Sequence, residues 1–487
     1  MSSFGSILSI ARSAIAAQQI ALQTTSQNIA NAETAGYSRQ RAEFATRHPQ
    51  QFTYGNVGTG VDVNGIVRMR DELLDAAYRR DAAGQSGSDV RQNVLGGVEE
   101  ILGEPSTTGL SSTLDKFWNA WSDLSNNPGN AATQSVVRQR GIGVTNQLNS
   151  FSTRIADVSS RTRANLASTV DEVNSLARQY ADLNKQITAA EASGQQAPDL
   201  RDARDRLSDQ LSQTIGARVE KQANGSISIY VGTMMLVDSS HARPLEVRGS
   251  MTAPVVGFVN DPDPVLGLGG SVGQMINVIS NDIPAVISRL DAIARGLVNG
   301  VNEYHASGWT AAGDALGNAN WVVANGPTGS RVNFFDAASL TAGTIKLSAE
   351  VTASAAVIAS GDVQNAPGNN TLALSLGALR DDAGMSALQT RMGASFATQI
   401  GFGAAVSYGD HYTQTVADLG VSVADAKNQY SVYETLAKQS DNRRASVNGV
   451  SLDEELTLLM RHQQAYAAAS KLVIVADEMS KVLLNMI

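Results

Sequence analysis

Residues 131–193 read AATQSVVRQRGIGVTNQLNSFSTRIADVSSRTRANLASTVDEVNSLARQYADLNKQITAAEAS. No proline falls within them, and side chains fit for a seam recur every seven positions in two rows. Leu148, Ile155, Thr162, Thr169, Leu176 and Leu183 make one row; Leu166, Val173, Tyr180 and Ile187 make the other. A seven-residue repeat keeps one narrow stripe on a single α-helix that packs along its length against others. At 1.5 Å per residue, a helix of this length spans about 90 Å. A rod holds such a helix; a compact globule does not. The Gly- and Pro-containing stretch 194–198 ends it.

Upstream, Leu114, Phe117, Trp118 and Trp121 recur at i, i+3, i+4 and i+7, a second helix face stopped by Asn127-Pro128-Gly129. Downstream, Leu200, Leu207 and Leu211 mark a shorter helix. At about 216–260 the period changes to two: Val219 and Lys221 lead into Asn224-Gly225, then Ile227, Ile229 and Val231 alternate, a β-hairpin signal. Helix returns at 271–306 with Ile276, Ile283, Leu290, Leu297 and Tyr304, kinked or restarted at Pro284. Residues 309–384 are rich in Gly, Asn and Ala, with short β-prone runs at 321–323, 331–335 and 344–347. They are expected to form a small β-rich outer domain. At about 385–440 helix resumes, with Val416, Leu419, Val423, Ala426, Tyr430, Tyr433 and Ala437 on one face.

The two ends mirror each other. Leu8, Ile15, Leu22 and Ile29 are seven apart, with Phe4, Ala11, Gln18 and Thr25 in the complementary row. At the other end Asn448-Gly449 breaks the preceding helix, and Ser451 with Glu454 fits a capping box. Leu452, Leu459, Tyr466 and Val473 then run at sevens beside Ala469, Ala476 and Leu483. Seams this weak are marginal alone and need partners. The expected fold is mainly α with a β-rich insert, elongated and nested. Paired coiled-coil-like terminal helices (1–60 plus 445–487) adjoin a helical rod domain (61–308 plus 385–444) that contains the hairpin region. The outer domain (309–384) lies beyond. Phe4, Leu8, Ile15, Leu22, Ile29, Leu452, Leu459, Tyr466, Val473 and Leu483 are the expected assembly interface.

Composition excludes several classes. The 487 residues carry 37 Lys plus Arg against 46 Asp plus Glu, a formal charge of −9, so a nucleic-acid partner is disfavoured. Cysteine is absent, which removes disulfides, thiolate metal sites and Cys nucleophiles. No run of strongly apolar residues is long enough for membrane insertion, and the N-terminus lacks the parts of a signal peptide. The uncharged stretch 392–409 reads as buried or interfacial. The five histidines are widely spaced and form no metal motif. No cofactor is expected. Gly269-Gly270-Ser271-Val272-Gly273 fits G-x-S-x-G, but a poor strand precedes it, and Ser271 reads better as a helix N-cap than as a hydrolase nucleophile. Arg68, Arg70, Arg79 and Arg80, interleaved with Asp71, Glu72, Asp75 and Asp81, read as a solvated mixed-charge face.

One short stretch is specific. Asn28-Ile-Ala-Asn31-Ala-Glu-Thr34-Ala-Gly36-Tyr37-Ser-Arg39 resembles the N-x-x-N-x-x-T-x-G-Y-x-R signature that ends the first helix of bacterial flagellar axial proteins, the rod, hook and hook-associated family. Asn31 and Gly36 suit turn conformations, Thr34 can bond local backbone, and Tyr37 and Arg39 can offer a ring and a forked donor to a neighbour. The segments 447–456 and 461–466 are similar to the C-terminal segment of the same family, with His462 standing where phenylalanine is usual. The interior resembles the hook-associated members, least at 309–410. The resemblance implies a non-enzymatic subunit joining hook to filament. It implies export unfolded through the flagellar type III channel, with terminal helices that fold on assembly. The implied partners are the hook protein, a second hook-associated junction protein, further copies of the chain in a ring or helical assembly, and an export chaperone on the C-terminal helix. The implied location is outside the cell. Two other readings compete: a secreted coiled-coil adhesin or effector, and a serine hydrolase at Ser271.

Overall fold

A computed structural model describes residues 2–52, 55–192, 196–222, 227–309, 332–363, 366, 368–402 and 406–484. The chain opens with α1 (Ser2–Ala30). Then β1 (Gln40–Thr46), β2 (Gln50–Phe52), β3 (Gly55–Val57) and β4 (Val61–Arg68) form two antiparallel hairpins, β1–β4 enclosing β2–β3. Four helices follow: α2 (Glu72–Leu102), α3 (Leu110–Asn126), α4 (Ala131–Ala192) and α5 (Pro198–Ile215). The β insert comprises β5 (Arg218–Lys221), β6 (Ile227–Val231), β7 (Met234–Val237), β8 (Leu245–Gly249) and β9 (Pro254–Phe258). It is arranged as a three-stranded β5-β6-β7 sheet and a β8–β9 ribbon.

Helix then dominates to the end: α6 (Gly270–Asn277), α7 (Ile283–His305), α8 (Ala349–Ala353), α9 (Thr371–Ala378), α10 (Asp382–Met392), α11 (Phe396–Ile400), α12 (Tyr408–Asn448) and α13 (Leu452–Leu484). A π-helical turn, Val278–Asp282, joins α6 to α7 without a break in helical backbone, and this wider turn just before Pro284 accommodates a residue that has no N–H to donate. The chain is mainly α with a β insert, as its periodicities predict. The alternation around 219–231 becomes the pairs Val219↔Ile229 and Lys221↔Ile227. Its turn residues Asn224 and Gly225 lie outside the described residues.

The 62-residue α4 runs through two hydrophobic cores. Val137, Val144, Leu148, Phe151 and Ile155 enter the larger one, with Phe117, Trp118 and Trp121 of α3 and with α7 and α12. Leu166, Val170, Val173 and Tyr180 enter the smaller one, with Leu211 and Ile215 of α5 and the strands. Trp118 stacks on Tyr408 at 5.5 Å, and Phe117 packs between Trp121 and Phe334. Within the stretch 392–409, Phe396, Ile400, Phe402 and Tyr408 are buried, while Gly393, Ala394, Ala397, Thr398 and Gln399 are exposed.

Residues 332–384 depart from the expected β-rich outer domain. Among the described residues there, isolated bridges such as Phe335↔Leu347 replace strands. Phe334, Phe335, Ile345 and Leu347 join the core around α3, α4 and α7. The β-prone runs carry aromatic and branched side chains that bury against helices, so they have no sheet neighbour to pair with. The run 321–323 lies outside the described residues.

Candidate functional site

The two termini meet. α1 and α13 pack antiparallel, as the hydrogen bonds Asn28–Glu455 near one end and His462–Gln18 further along require. The fully buried positions are small or polar: Ala11, Ala17, Ala21, Thr24 and Thr25 on α1, Ala469 and Ala476 on α13. Small side chains let the backbones approach, and the larger neighbours are displaced to the flanks. Leu8, Ile15, Leu22, Ile29, Leu459, Tyr466 and Val473 are accordingly half-buried at the pair, and Leu452 is exposed. The side chains of Phe4 and Leu483 lie outside what the structure describes. Leu456, Met460, Leu472, Ile474, Val475, Met479 and Val482, on the remaining surface of α13, are exposed to solvent. None of these was singled out from the sequence, because a heptad reading selects the inner seam and passes over apolar residues outside it.

Asn28 locks the pair. Its amide is 1 % exposed and all four of its bonding positions are used. Nδ2 donates to the Gln40 carbonyl (2.8 Å) and to Glu455 Oε2 (2.9 Å). Oδ1 accepts from Tyr37 OH (2.9 Å) and from the Gln40 N–H (3.0 Å). Arg39 reaches the same place, Nε to Glu455 Oε1 at 2.8 Å and Nη1 to Glu454 at 2.9 Å, while its N–H donates to the Asn448 carbonyl. The ring and the forked donor expected to face a neighbour are thus spent within the chain, and Glu454 bonds Arg39 rather than completing a capping box. Burial, together with Asp199, Asp202 and Glu455, pushes the Tyr37 phenol above its ordinary range, so it stays a donor.

The turn that presents these groups is built locally. Thr34 Oγ1 donates to Asn31 Oδ1, the Tyr37 N–H donates to the Thr34 carbonyl, and Gly36 sits at φ 76°. A Cβ there would lie 2.5 Å from Arg206 Cδ on α5. Beyond the turn, Ser38 donates through both N–H and Oγ to Asp202 (3.0 and 2.6 Å). Glu455, Gln40, Ser38 and Asp202 complete the joint, and sequence reasoning did not single them out. Only Glu455 carried a signal, a carboxylate in the otherwise neutral row with His462, Ala469 and Ala476.

The basic cluster is corrected by the structure. Arg68, Arg70 and Arg79 are not solvated: their side chains are 14, 11 and 11 % exposed. Arg68 spans Asp202 and Asp205 at 2.6 and 2.8 Å, Arg70 holds Asp75 with two nitrogens and Asp205 with a third, and Arg79 and Arg444 share Asp209. Burial alone would raise the Asp205 carboxyl; Arg70 and Arg68 outweigh it and hold the group below its usual range. Asp75 is five residues from Arg70, but Asp202, Asp205 and Asp209 lie more than a hundred residues from their arginines, so no local pattern reveals them. Only Arg80 of the four is solvated, 77 % exposed.

Ser271 does not cap α6. It lies in the first turn, behind Gly269, and its hydroxyl donates to the Thr214 carbonyl at 3.1 Å. His305 is buried between the Val332 carbonyl and the Ala359 N–H. Its Nε2 accepts and its Nδ1 donates, and burial lowers its pKa to about 4. Among the described residues no cluster of His, Asp and Glu is placed to hold a metal, and no helix is long and apolar enough to cross a membrane.

Three family profiles match the chain. The profile described as the flagellar hook-associated protein FlgK helical domain matches residues 95–319. Those of the basal body rod protein and of the rod FlgEFG C-terminal segment match 8–37 and 445–486, the two halves of the terminal pair. Flagellar hook-associated protein 1 of Bacillus subtilis (strain 168) is 30% identical over 516 residues, covering 98% of this chain and 97% of the relative. That of Escherichia coli (strain K12) is 26% identical, covering 99% of both. The structure of the flagellar hook junction protein FlgK from Burkholderia pseudomallei superposes with a TM-score of 0.60 at 15% identity, over 78% of this chain and 100% of that one, a likeness of fold. By identity and by coverage, the chain belongs to the flagellar hook-associated protein 1 family.

Proposed function

We propose that the chain is a non-enzymatic structural subunit of the bacterial flagellum, placed outside the cell at the junction between hook and filament. In this reading it leaves the cytoplasm unfolded through the flagellar export channel, and its terminal helices fold on assembly. It packs there against copies of itself, the hook protein and a second hook-associated junction protein, after release from an export chaperone bound to its last helix. The terminal helices with 1–60 form the assembly domain, and the remainder stands outward. One observation carries the reading. The terminal helices close on each other through Asn28, Arg39 and Glu455, yet Met460, Ile474 and Val475 stay exposed on α13. Exposed apolar side chains in two groups on a paired helix, Leu456 with Met460 and Leu472 with Ile474 and Val475, fit a surface that neighbouring subunits cover.

The test is the triple substitution Met460→Ser, Ile474→Ser and Val475→Ser in a motile strain. The purified subunit should melt like the parent, because exposed positions contribute little to folding, while filament growth and swimming are lost. Normal swimming sinks the reading. Ser271→Ala should leave motility intact; loss of function with a normally folded chain would favour the hydrolase alternative.

A further inference from the structure

A cavity of about 770 Å³ lies between α2, α5 and the β5–β6 strands. Arg68, Arg70, Arg79, Arg201, Arg204 and Lys221 are on its wall, and Ala76, Ala83, Val219 and Ile227 supply apolar surface. The acidic residues there are largely engaged: Asp75 and Asp205 hold Arg70 and Arg68, and Glu72 lies 3.9 Å from Lys221. Arg204 is different. It is 6 % exposed, donates from Nη1 to Asn184 Oδ1 at 3.1 Å, and leaves Nε without a partner. Among the described residues no carboxylate lies within ion-pair distance of it. A buried guanidinium with no carboxylate in direct contact is costly, Asp205 acting on it only from a distance, and here it borders a space of the size that small ligands occupy.

We propose that this cavity binds a small multivalent oxyanion of the phosphate or pyrophosphate kind. Arg204 is the inner donor, and Arg201, which also pairs with Glu191 at 2.5 Å, and Lys221 are the outer ones, 36 and 62 % exposed. A planar fork suits two oxygens of one ligand. With Arg80 and Arg218 counted, eight cationic side chains on the wall face four carboxylates, an excess that favours an anion with enough charge to engage several cations together. Such a ligand would brace α5 against α2 and the β insert, a role independent of the junction reading.

The experiment is calorimetric titration and thermal unfolding of the full-length chain with inorganic pyrophosphate, at ionic strength held constant with sodium chloride. A saturable rise in melting temperature with one site per chain is expected. Arg204→Met should abolish it, while Arg243→Met, which lies outside the cavity, should keep it. Should Arg204→Met fail to fold, the rim pair Arg201→Met and Lys221→Met should weaken binding about a hundredfold, about tenfold for each charge-assisted bond lost. No saturable heat or shift with the parent chain, or an unchanged response in the folded variants, overturns the proposal. Because the readout uses isolated protein, it stands or falls separately from motility.

Discussion

Replacing Asn28 tests the joint between the chain ends most directly. Asn28→Ala removes bonds to Tyr37, to both backbone groups of Gln40 and to Glu455. Gln40 is 3 % exposed, so its N–H and C=O are left without water to replace the amide. A bond to a charged partner contributes about 1.5–3 kcal/mol and each stranded backbone group costs about 1–3 kcal/mol, so a loss of about 4 kcal/mol is expected. Asn28→Asp is the sharper variant. It keeps the shape but sets an oxygen against the Gln40 carbonyl and a second carboxylate against Glu455, at positions now 2.8 and 2.9 Å apart. Near neutral pH it should be worse than alanine. Because two close carboxylates bind a proton more tightly than one, its deficit should shrink as pH falls. Adding Glu455→Gln supplies an N–H to the new carboxylate and should recover part of the loss. Native-state hydrogen exchange of α1 and α13 amides in the assembled chain, where these helices are folded, reads the local opening energy. A loss below about 1 kcal/mol for Asn28→Ala, or an Asn28→Asp deficit equal to it at every pH, refutes the reasoning.

Three further outcomes are expected. Gly36→Ala should cost about 1–2 kcal/mol for its left-handed backbone alone, and more for the contact with Arg206, read as faster exchange in α1. His305 is about 4 in the folded chain against an ordinary 6.5. The unfolded chain therefore takes up the proton first, and stability present above pH about 6.5 is lost as pH falls toward about 4. The loss approaches about 3 kcal/mol, and His305→Gln should flatten that part of the pH–stability curve in urea titrations. Asp205→Asn leaves Arg68 and Arg70 with less charge than they are buried to meet and should lower the unfolding free energy by about 3 kcal/mol, seen as a lower urea midpoint.

What could be read from sequence and what could not divide along one physical line. Periodicity is local, so the helix through Leu148, Ile155 and Leu166 and the pairing of Val219 with Ile229 follow from spacing alone. The Asn28 to Arg39 motif was legible as a helix stop, and its glycine does take a positive φ. Its partners were not legible. Glu455 is 427 positions from Asn28 and Asp202 is 164 from Ser38, and nothing in either neighbourhood names the other. Arg68 and Arg70 looked solvated because their local sequence is polar; tertiary pairing with α5 buries them. The terminal stripes read as helical from spacing alone, but which of their two rows lies deeper does not: alanine and threonine at Ala11, Thr25, Ala469 and Ala476 let the helices close, and Ile15 and Leu22 are left half-buried.

The unbroken α4 also sets how the molecule answers force. Val144 to Ile155 anchor it in one core and Leu166 to Tyr180 in the other, with continuous backbone hydrogen bonding between. A bending moment applied at one core therefore travels along a stiff beam to the second. Compliance is left to the loop 103–109, the β insert and the polar contacts of α5. A subunit so constructed tilts as one lever before it folds at a hinge.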